Sequence, residues 1–245
     1  MASAEPHPFR TNRLQAFVLR LVAGWLLTSL TAESADFTIA RPDDSPGPVM
    51  LDVQRRVVEA YQKIGITAAV LSLPALRSAA YTKQDMVDAE LLRVDVPERD
   101  NDFIRIDVPL VVYDVVAIGR SGMARPISPA SLHGLKVGIL RGVLALAHTA
   151  AQSGSTELAP DYNSLNRMLE EGRIDIALML TVNYPDLIAK RSGEWERYHL
   201  TVLNPRLQSY PAYHYISPRH ADLVAALTRS LRTVGLPVPT VHAED

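Results

Sequence analysis

Two stretches of this 245-residue chain carry the same layout, and that doubling constrains its fold more than any other feature. From Ile66 to Leu92 a run of β-formers leads through a polar turn into a helix-spaced segment, then into Val87-Asp88-Ala89-Glu90. From Glu157 to Leu180 a short strand, a helix, a closing glycine (Gly172) and Ile174-Asp175-Ile176-Ala177 follow in the same order. Strands separated by helices pair in parallel, because each crossover helix returns the chain to the edge it started from. A parallel sheet is covered on both faces, and Ile174–Leu180 (IDIALML) is apolar on both sides as such a strand requires.

The remaining elements fit around this pair. Asp36–Ala40 reads as a strand, Arg41–Pro48 as a turn-rich loop and Val49–Ile64 as an amphipathic helix closed by Gly65. Ile66–Leu71 and Met86–Leu92 read as strands, with a helix at Ala75–Lys83 after Pro74. Phe103–Val108 and Val111–Ile118 are two β-branched runs, hence two buried strands. Gly119–Pro129 is polar and turn-rich. Strand Leu135–Leu140, helix Val143–Ser153, strand Glu157–Tyr162 and helix Ser164–Glu171 lead to the strand Ile174–Leu180. Helix Tyr184–Lys190, strands Tyr198–Leu203 and Ala212–Ile216, and the closing helix His220–Val234 complete the order. Two similar α/β halves, with crossings near 110–116 and 204–212, describe a hinged pair of lobes. No tandem repeat of solenoid length is present.

Composition excludes several functions. Hydrophobic residues make up 47% and charged residues 21%, ordinary globular values, and the net charge of −2 gives no footprint for nucleic acid. The absence of cysteine excludes disulfides, thiolate metal sites and a cysteine nucleophile. The seven histidines show no paired ligand spacing, so no metal or other cofactor is expected. No G-x-S-x-G is present, and Gly119-Arg120-Ser121-Gly122 lacks the lysine and spacing of a phosphate loop.

The first 35 residues read as a leader. Arg10, Arg13 and Arg20 precede the apolar run Leu21–Leu30, and small residues follow. That run is about half of the roughly 20 residues a membrane-spanning helix needs. The reading is a secretory signal peptide cleaved after Ser34, with Ala32 at −3, or else after Ala32 or Ala35; an uncleaved anchor and a cytoplasmic amphipathic helix are the alternatives. Removing three Arg and two Glu from 25 basic and 27 acidic residues leaves net −3.

Six motifs then line up: LPALRS (Leu73–Ser78), VDAELLR (Val87–Arg93), IRIDVPL (Ile104–Leu110), LKVGILRG (Leu135–Gly142), LEEGRIDIAL (Leu169–Leu178) and YHYISPRH (Tyr213–His220). In this order and spacing the chain resembles a divergent branch of the bacterial periplasmic solute-binding proteins of family 3, over about residues 37–235. The resemblance implies a two-lobed periplasmic-binding-protein-like α/β fold, each lobe a mainly parallel sheet flanked by helices, with two hinge crossings. It implies lobe 1 at 36–112, lobe 2 at 113–209, and a return to lobe 1 with the C-terminal helix at 210–245. It implies a monomeric, non-catalytic periplasmic protein that holds a small polar ligand, amino-acid-like or a carboxylate, for an ABC-type permease or a sensor kinase. One departure stands out. Amino-acid-binding members carry an aromatic YPPF loop after the first strand and a Thr-x-x-Arg in the first lobe. Residues 41–46 here have no aromatic, and Arg93 lacks that context.

The candidate site residues follow from strand ends. Glu90 and Arg93 close a short apolar strand. On a regular strand they face opposite sides, but a strand that is ending lets both reach a cleft. Glu90 would take an amine or hydroxyl and Arg93 a carboxylate through its two-pronged guanidinium. The plainer alternative is a structural salt bridge. Arg77 opens a helix and either faces the cleft or pairs with Asp85 or Asp88. Arg141 and Gly142 turn from a strand into a helix, where free N–H groups favour an anion; the resembled family holds a ligand carboxylate there. Asp161 ends a second-lobe strand where the family often has a ligand-facing acid. Tyr113 walls the cleft near the first crossing, and Tyr213, His214 and Tyr215 form an aromatic cluster or hinge core near the second. Asp88 and Asp175 tie down neighbouring loops. Two other functions stay open: an enzyme of the lyase or dehydratase class on this fold with Glu90 as general acid, and a degenerate interaction or sensory module.

Overall fold

A computed structural model describes residues 37–41, 47–73, 75–97, 103–123 and 127–234. The expected leader falls in residues 1–36, which with residues 42–46 of the first loop lie outside the described residues. Eight strands and six α-helices are described. They are β1 (Phe37–Arg41), α1 (Pro48–Gln62), β2 (Ala68–Ser72), α2 (Ala75–Lys83), β3 (Ala89–Val94), β4 (Ile104–Arg120), β5 (Lys136–Leu140), α3 (Leu144–Ala150), β6 (Ser155–Ala159), α4 (Tyr162–Glu170), β7 (Ile176–Thr181), α5 (Tyr184–Arg197), β8 (Leu200–Ile216) and α6 (Val224–Thr233). Short 3-10 turns occupy Pro129–Leu132 and Pro218–Leu223.

The strand order is a palindrome, β2-β1-β3-β8-β4-β7-β5-β6. The outer trios β2-β1-β3 and β6-β5-β7 are each parallel within themselves; β8 runs antiparallel to β3, β4 antiparallel to β7, and β4 and β8 antiparallel to each other. The two halves share one hook. Thr38 N–H donates to Asp88 Oδ2 at 2.7 Å while Asp88 N–H donates to the Thr38 carbonyl at 2.9 Å. In the second half Lys136 N–H donates to Asp175 Oδ2 at 2.9 Å, and Asp175 N–H to the Lys136 carbonyl at 2.8 Å. Both aspartates thus do the tying expected of them, at the N-terminal ends of β3 and β7.

Each half buries its sheet between helices. α1 turns Val53, Val57, Ala60 and Tyr61 onto Phe37, Ile39 and Leu91, where α6 adds Leu227 and Leu231. In the second half α3 packs Ala145 and Leu146 on one face, and α4 packs Leu165 and Leu169 on the other. Gly138 of β5 marks a close approach: a Cβ there would stand 2.4 Å from Ile174 Cδ1 and 2.8 Å from Leu165 Cδ2.

Three expectations change. The runs either side of Pro109 are one 17-residue strand, β4, and those at 198–203 and 212–216 are one 17-residue strand, β8. Pro109 is absorbed because the β4–β8 register slips at Arg105/Pro109 and Pro109/Val111, so the ladder does not require its N–H. Helix α5 runs on past Lys190 to Arg197, drawn by burial of Leu187 and Trp195 and an Arg191–Glu194 ion pair of 2.9 Å. Strand β6 ends at Ala159, because Asp161 caps a helix that already includes Tyr162.

Candidate ligand cleft

The register places the two halves' strand ends against each other. Ala89 pairs with Ile216, which also pairs with Ile104; further along, Val94 pairs with Ala212, which also pairs with Val111. From the other side, Ile176 pairs with Gly119 and Thr181 with Asp114. The C-terminal end of β3 therefore reaches the level of Val111, and that of β7 comes back to the level of Asp114. Only Val112 and Tyr113 of β4, opposite Pro211 and Tyr210 of β8, lie between them. Ligands of open α/β sheets gather outside the carboxyl ends of the strands, and here two such edges face one another across a waist.

Tyr113 lies at that waist, half-buried against the core of the first half. Tyr210, opposite it, is anchored by its hydroxyl to Thr149 Oγ1 at 2.8 Å and edge-on to His148. Apolar side chains cross the waist both ways: Val96, which follows β3, is buried with Val115, Leu207 and Tyr210, and Val182, which follows β7, packs on the core of the first half.

Four more expected site residues stand at these edges. Arg77 is exposed in the first turn of α2, which follows β2. Arg141 and Gly142 are exposed directly after β5; Gly142 has φ 82°, which favours glycine, and Arg141 N–H donates to the Ala159 carbonyl at 3.0 Å. Asp161, after β6, accepts the Ser164 N–H at 2.7 Å as the cap of α4, and that bond holds its carboxyl below the usual range.

Glu90 is the correction. It is the second residue of β3, not its far end, and is 2% exposed beneath α2. Its Oε1 accepts from Thr82 Oγ1 at 2.6 Å and from Arg93 Nη2 at 2.7 Å. Arg93 Nη2 also donates to Ser78 Oγ at 3.2 Å, and Arg93 Nε is buried with no hydrogen-bond partner among the described residues. The strand does not end between Glu90 and Arg93. A bulge does the work instead: Glu90 pairs with Tyr215 and Arg93 with Tyr213, so three steps on β3 match two on β8 and the two charges land on one face.

Asp88 is taken as well. Partial burial pushes its carboxyl up, but the Thr38 N–H, His220 and Arg219 outweigh it and hold it below the usual range. Arg219 and His220 stand 2.6 and 2.7 Å from its Oδ1, so Asp88 is not Arg77's partner. In the aromatic cluster, His214 is wholly buried: Nδ1–H donates to the Leu91 carbonyl at 3.1 Å, which leaves Nε2 to accept the Tyr61 hydroxyl at 2.7 Å. Burial pushes His214 down to about 4 and the Tyr61 phenol up. Tyr213 lies under the Arg105 guanidinium, 4.6 Å from ring centroid to Cζ. His214 is thus core, while Tyr213 belongs to a charged network with Arg105 and Asp95.

Sequence reasoning passed over Arg41 and the Asp114–Arg206–Ser209 group. Arg41 ends β1 at 9% exposure and donates to Gln54 Oε1 at 2.5 Å and Ser72 Oγ at 3.1 Å. A charged residue terminating the alternating run Asp36–Ala40 was the available signal. Asp114 receives Ser209 Oγ at 2.6 Å and Arg206 Nε at 3.3 Å beside the waist; no local pattern marks that pairing, which spans more than 90 residues.

No protein-family model matches the chain, and no curated protein matches its sequence. Solved structures do match its shape. A histidine kinase sensor domain with similarity to periplasmic binding proteins superposes with a TM-score of 0.63 at 15% identity, over 80% of this chain and 88% of that one. The GluR0 ligand-binding core in complex with L-glutamate gives 0.63 at 12% identity, over 82% and 91%. The arginine-binding protein of T. maritima in its holo form gives 0.61 at 15% identity, over 80% and 88%. At this identity the likeness speaks for the fold, and with the palindromic sheet and paired long strands it identifies the architecture: this chain has the two-lobed fold of the periplasmic binding proteins.

Proposed function

We propose that the chain is a periplasmic solute-binding protein that holds a small polar ligand between its lobes and presents it to a membrane permease or a sensor. The observation that carries the reading is the waist. Two sets of strand ends face each other, joined among the described strands by β4 and β8, whose bulged register offers the hinge. Residues 36–112 and 210–245 form one lobe in this reading and 113–209 the other. Arg77 and Tyr113 contact the ligand from the first lobe and the crossing, and Arg141 and Gly142 from the second, while Arg93 and Asp161 are held by Glu90 and by the α4 cap. A ligand that touches both lobes favours the closed state by its differential affinity for it. The structural neighbours support a binding role over catalysis, and Glu90, engaged by Thr82 and Arg93 away from the facing edges, is poorly placed as a general acid. The leader expected over the first 35 residues favours export in this reading, with the protein acting as a monomer.

The test is a thermal-shift screen of small acids, amino acids and amines with small-angle scattering on any hit. A ligand at 100 times its Kd raises stability by about 2.7 kcal/mol, and closure lowers the radius of gyration. Silence across the screen, with an unchanged scattering profile, would sink the reading.

A further inference from the structure

We infer that the ligand carries an acidic group at each of two ends and no ammonium group, a small dicarboxylate being the simplest case. The inference rests on the solute-binding reading above and names its ligand class. It begins with the loss of Glu90. The acid that sequence reasoning assigned to a ligand amine is buried under α2, with Thr82 and Arg93 both on its Oε1.

The other described carboxylates at the facing edges are also engaged. Asp95 is paired with Arg105 and accepts the Tyr215 hydroxyl at 3.3 Å. Asp114 is held by Ser209 and Arg206, and Asp161 caps α4. The exception is Asp186, in the first turn of α5, where the positive end of the helix dipole already favours it.

The cations are in the opposite condition. Arg77 stands exposed on the first half; Arg141 and Lys190 stand exposed on the second. None of the three makes an ion pair among the described residues. The two edges come close: a Cβ at Gly47, just before α1, would lie 3.8 Å from Lys190 Nζ. Like charges on the two sides of a closing cleft repel more as it closes and water leaves, so an anion between them favours closure. Each guanidinium can grip a carboxylate with a two-pronged fork, and one such fork stands on either side. An anion with two acidic ends satisfies both sides at once, whereas a zwitterion brings an ammonium to a described edge already crowded with cations.

The experiment is calorimetry and thermal shift on the purified protein with succinate, glutarate, acetate, inorganic phosphate, glutamate and arginine. Succinate or glutarate is expected to stabilise most. Arg77→Gln and Arg141→Gln should each weaken that binding on the order of tenfold or more while leaving the unliganded melting temperature in place, since both side chains are exposed. Asp186→Asn should leave dicarboxylate affinity unchanged. Binding of glutamate or arginine that is lost in Asp186→Asn, with dicarboxylates silent, overturns the inference and leaves the solute-binding reading intact. Phosphate binding tighter than either dicarboxylate overturns the two-ended geometry. Silence in all six, continued through a broad solute screen, brings down both readings.

Discussion

Strands β3 and β7 occupy equivalent places in the palindrome, and their interiors differ. Ile39 pairs with Ala89 in the first half as Val137 pairs with Ile176 in the second, so Glu90 corresponds to Ala177 and Arg93 to Leu180. The scaffold is the same and the hook at its N-terminal end is the same. Yet one strand carries a nearly buried ion pair where the other carries Ala177 and Leu180. The fold therefore does not require charge at these positions. The pair is permitted because the bulge brings Arg93 to Glu90 and because Thr82 and Ser78 of α2 supply further hydrogen bonds.

The largest effect should come from breaking that difference on one side. Glu90→Ala leaves the Arg93 guanidinium, at 18% exposure, without its counter-ion, at an expected cost of about 3–5 kcal/mol in urea unfolding. Copying β7 fully, Glu90→Ala with Arg93→Leu, should recover most of that loss, because an apolar pair avoids the desolvation of both ions. A double variant as unstable as the single would mean that the ion pair itself, rather than the uncompensated charge, holds the first half together.

Acid should sharpen the contrast next. His214 lies in the first half at about 4, against about 6.5 in the unfolded chain; burial depresses it, while the Leu91 carbonyl and Glu90 pull the other way. Between these values the unfolded chain binds the extra proton, so stability falls as pH drops from about 6.5 toward 4, by about 3 kcal/mol in all. His214→Gln should flatten that part of a stability–pH curve followed by chemical denaturation. A curve of unchanged slope would place the proton uptake elsewhere.

The smallest effect compares the hooks. Asp88 is 16% exposed and shared with Arg219 and His220, whereas Asp175 is 34% exposed and meets Arg120 only at 3.8 Å. Asp88→Asn should cost about 2 kcal/mol and Asp175→Asn less than about 1, since charge-assisted bonds strengthen with burial. Equal losses in thermal unfolding would show that the backbone N–H bond common to both hooks carries the energy.

Much of this was legible along the chain. The helix at Ala75–Lys83, the Gly65 and Gly172 stops, the two Asp hooks and the waist position of Tyr113 follow from local pattern and from the doubling of one unit. What misled was also local. The runs at 103–108 and 111–118, and those at 198–203 and 212–216, read as separate strands because the apolar pattern breaks between them, and only the pairing of β4 with β8 shows that each is one strand.

By itself, then, the sequence determined two parallel α/β halves and the strand ends at which charge collects, because periodicity, turn residues and hooks act over a few residues. Tertiary structure alone decided which charges stay exposed. Glu90 and Arg93 are drawn into one buried pair by a bulge that exists only against β8, more than 100 residues away, whereas Arg77, after β2, and Arg141, after β5, stay exposed. Register between distant strands is a property of the assembled sheet, and no local stretch of the chain encodes it.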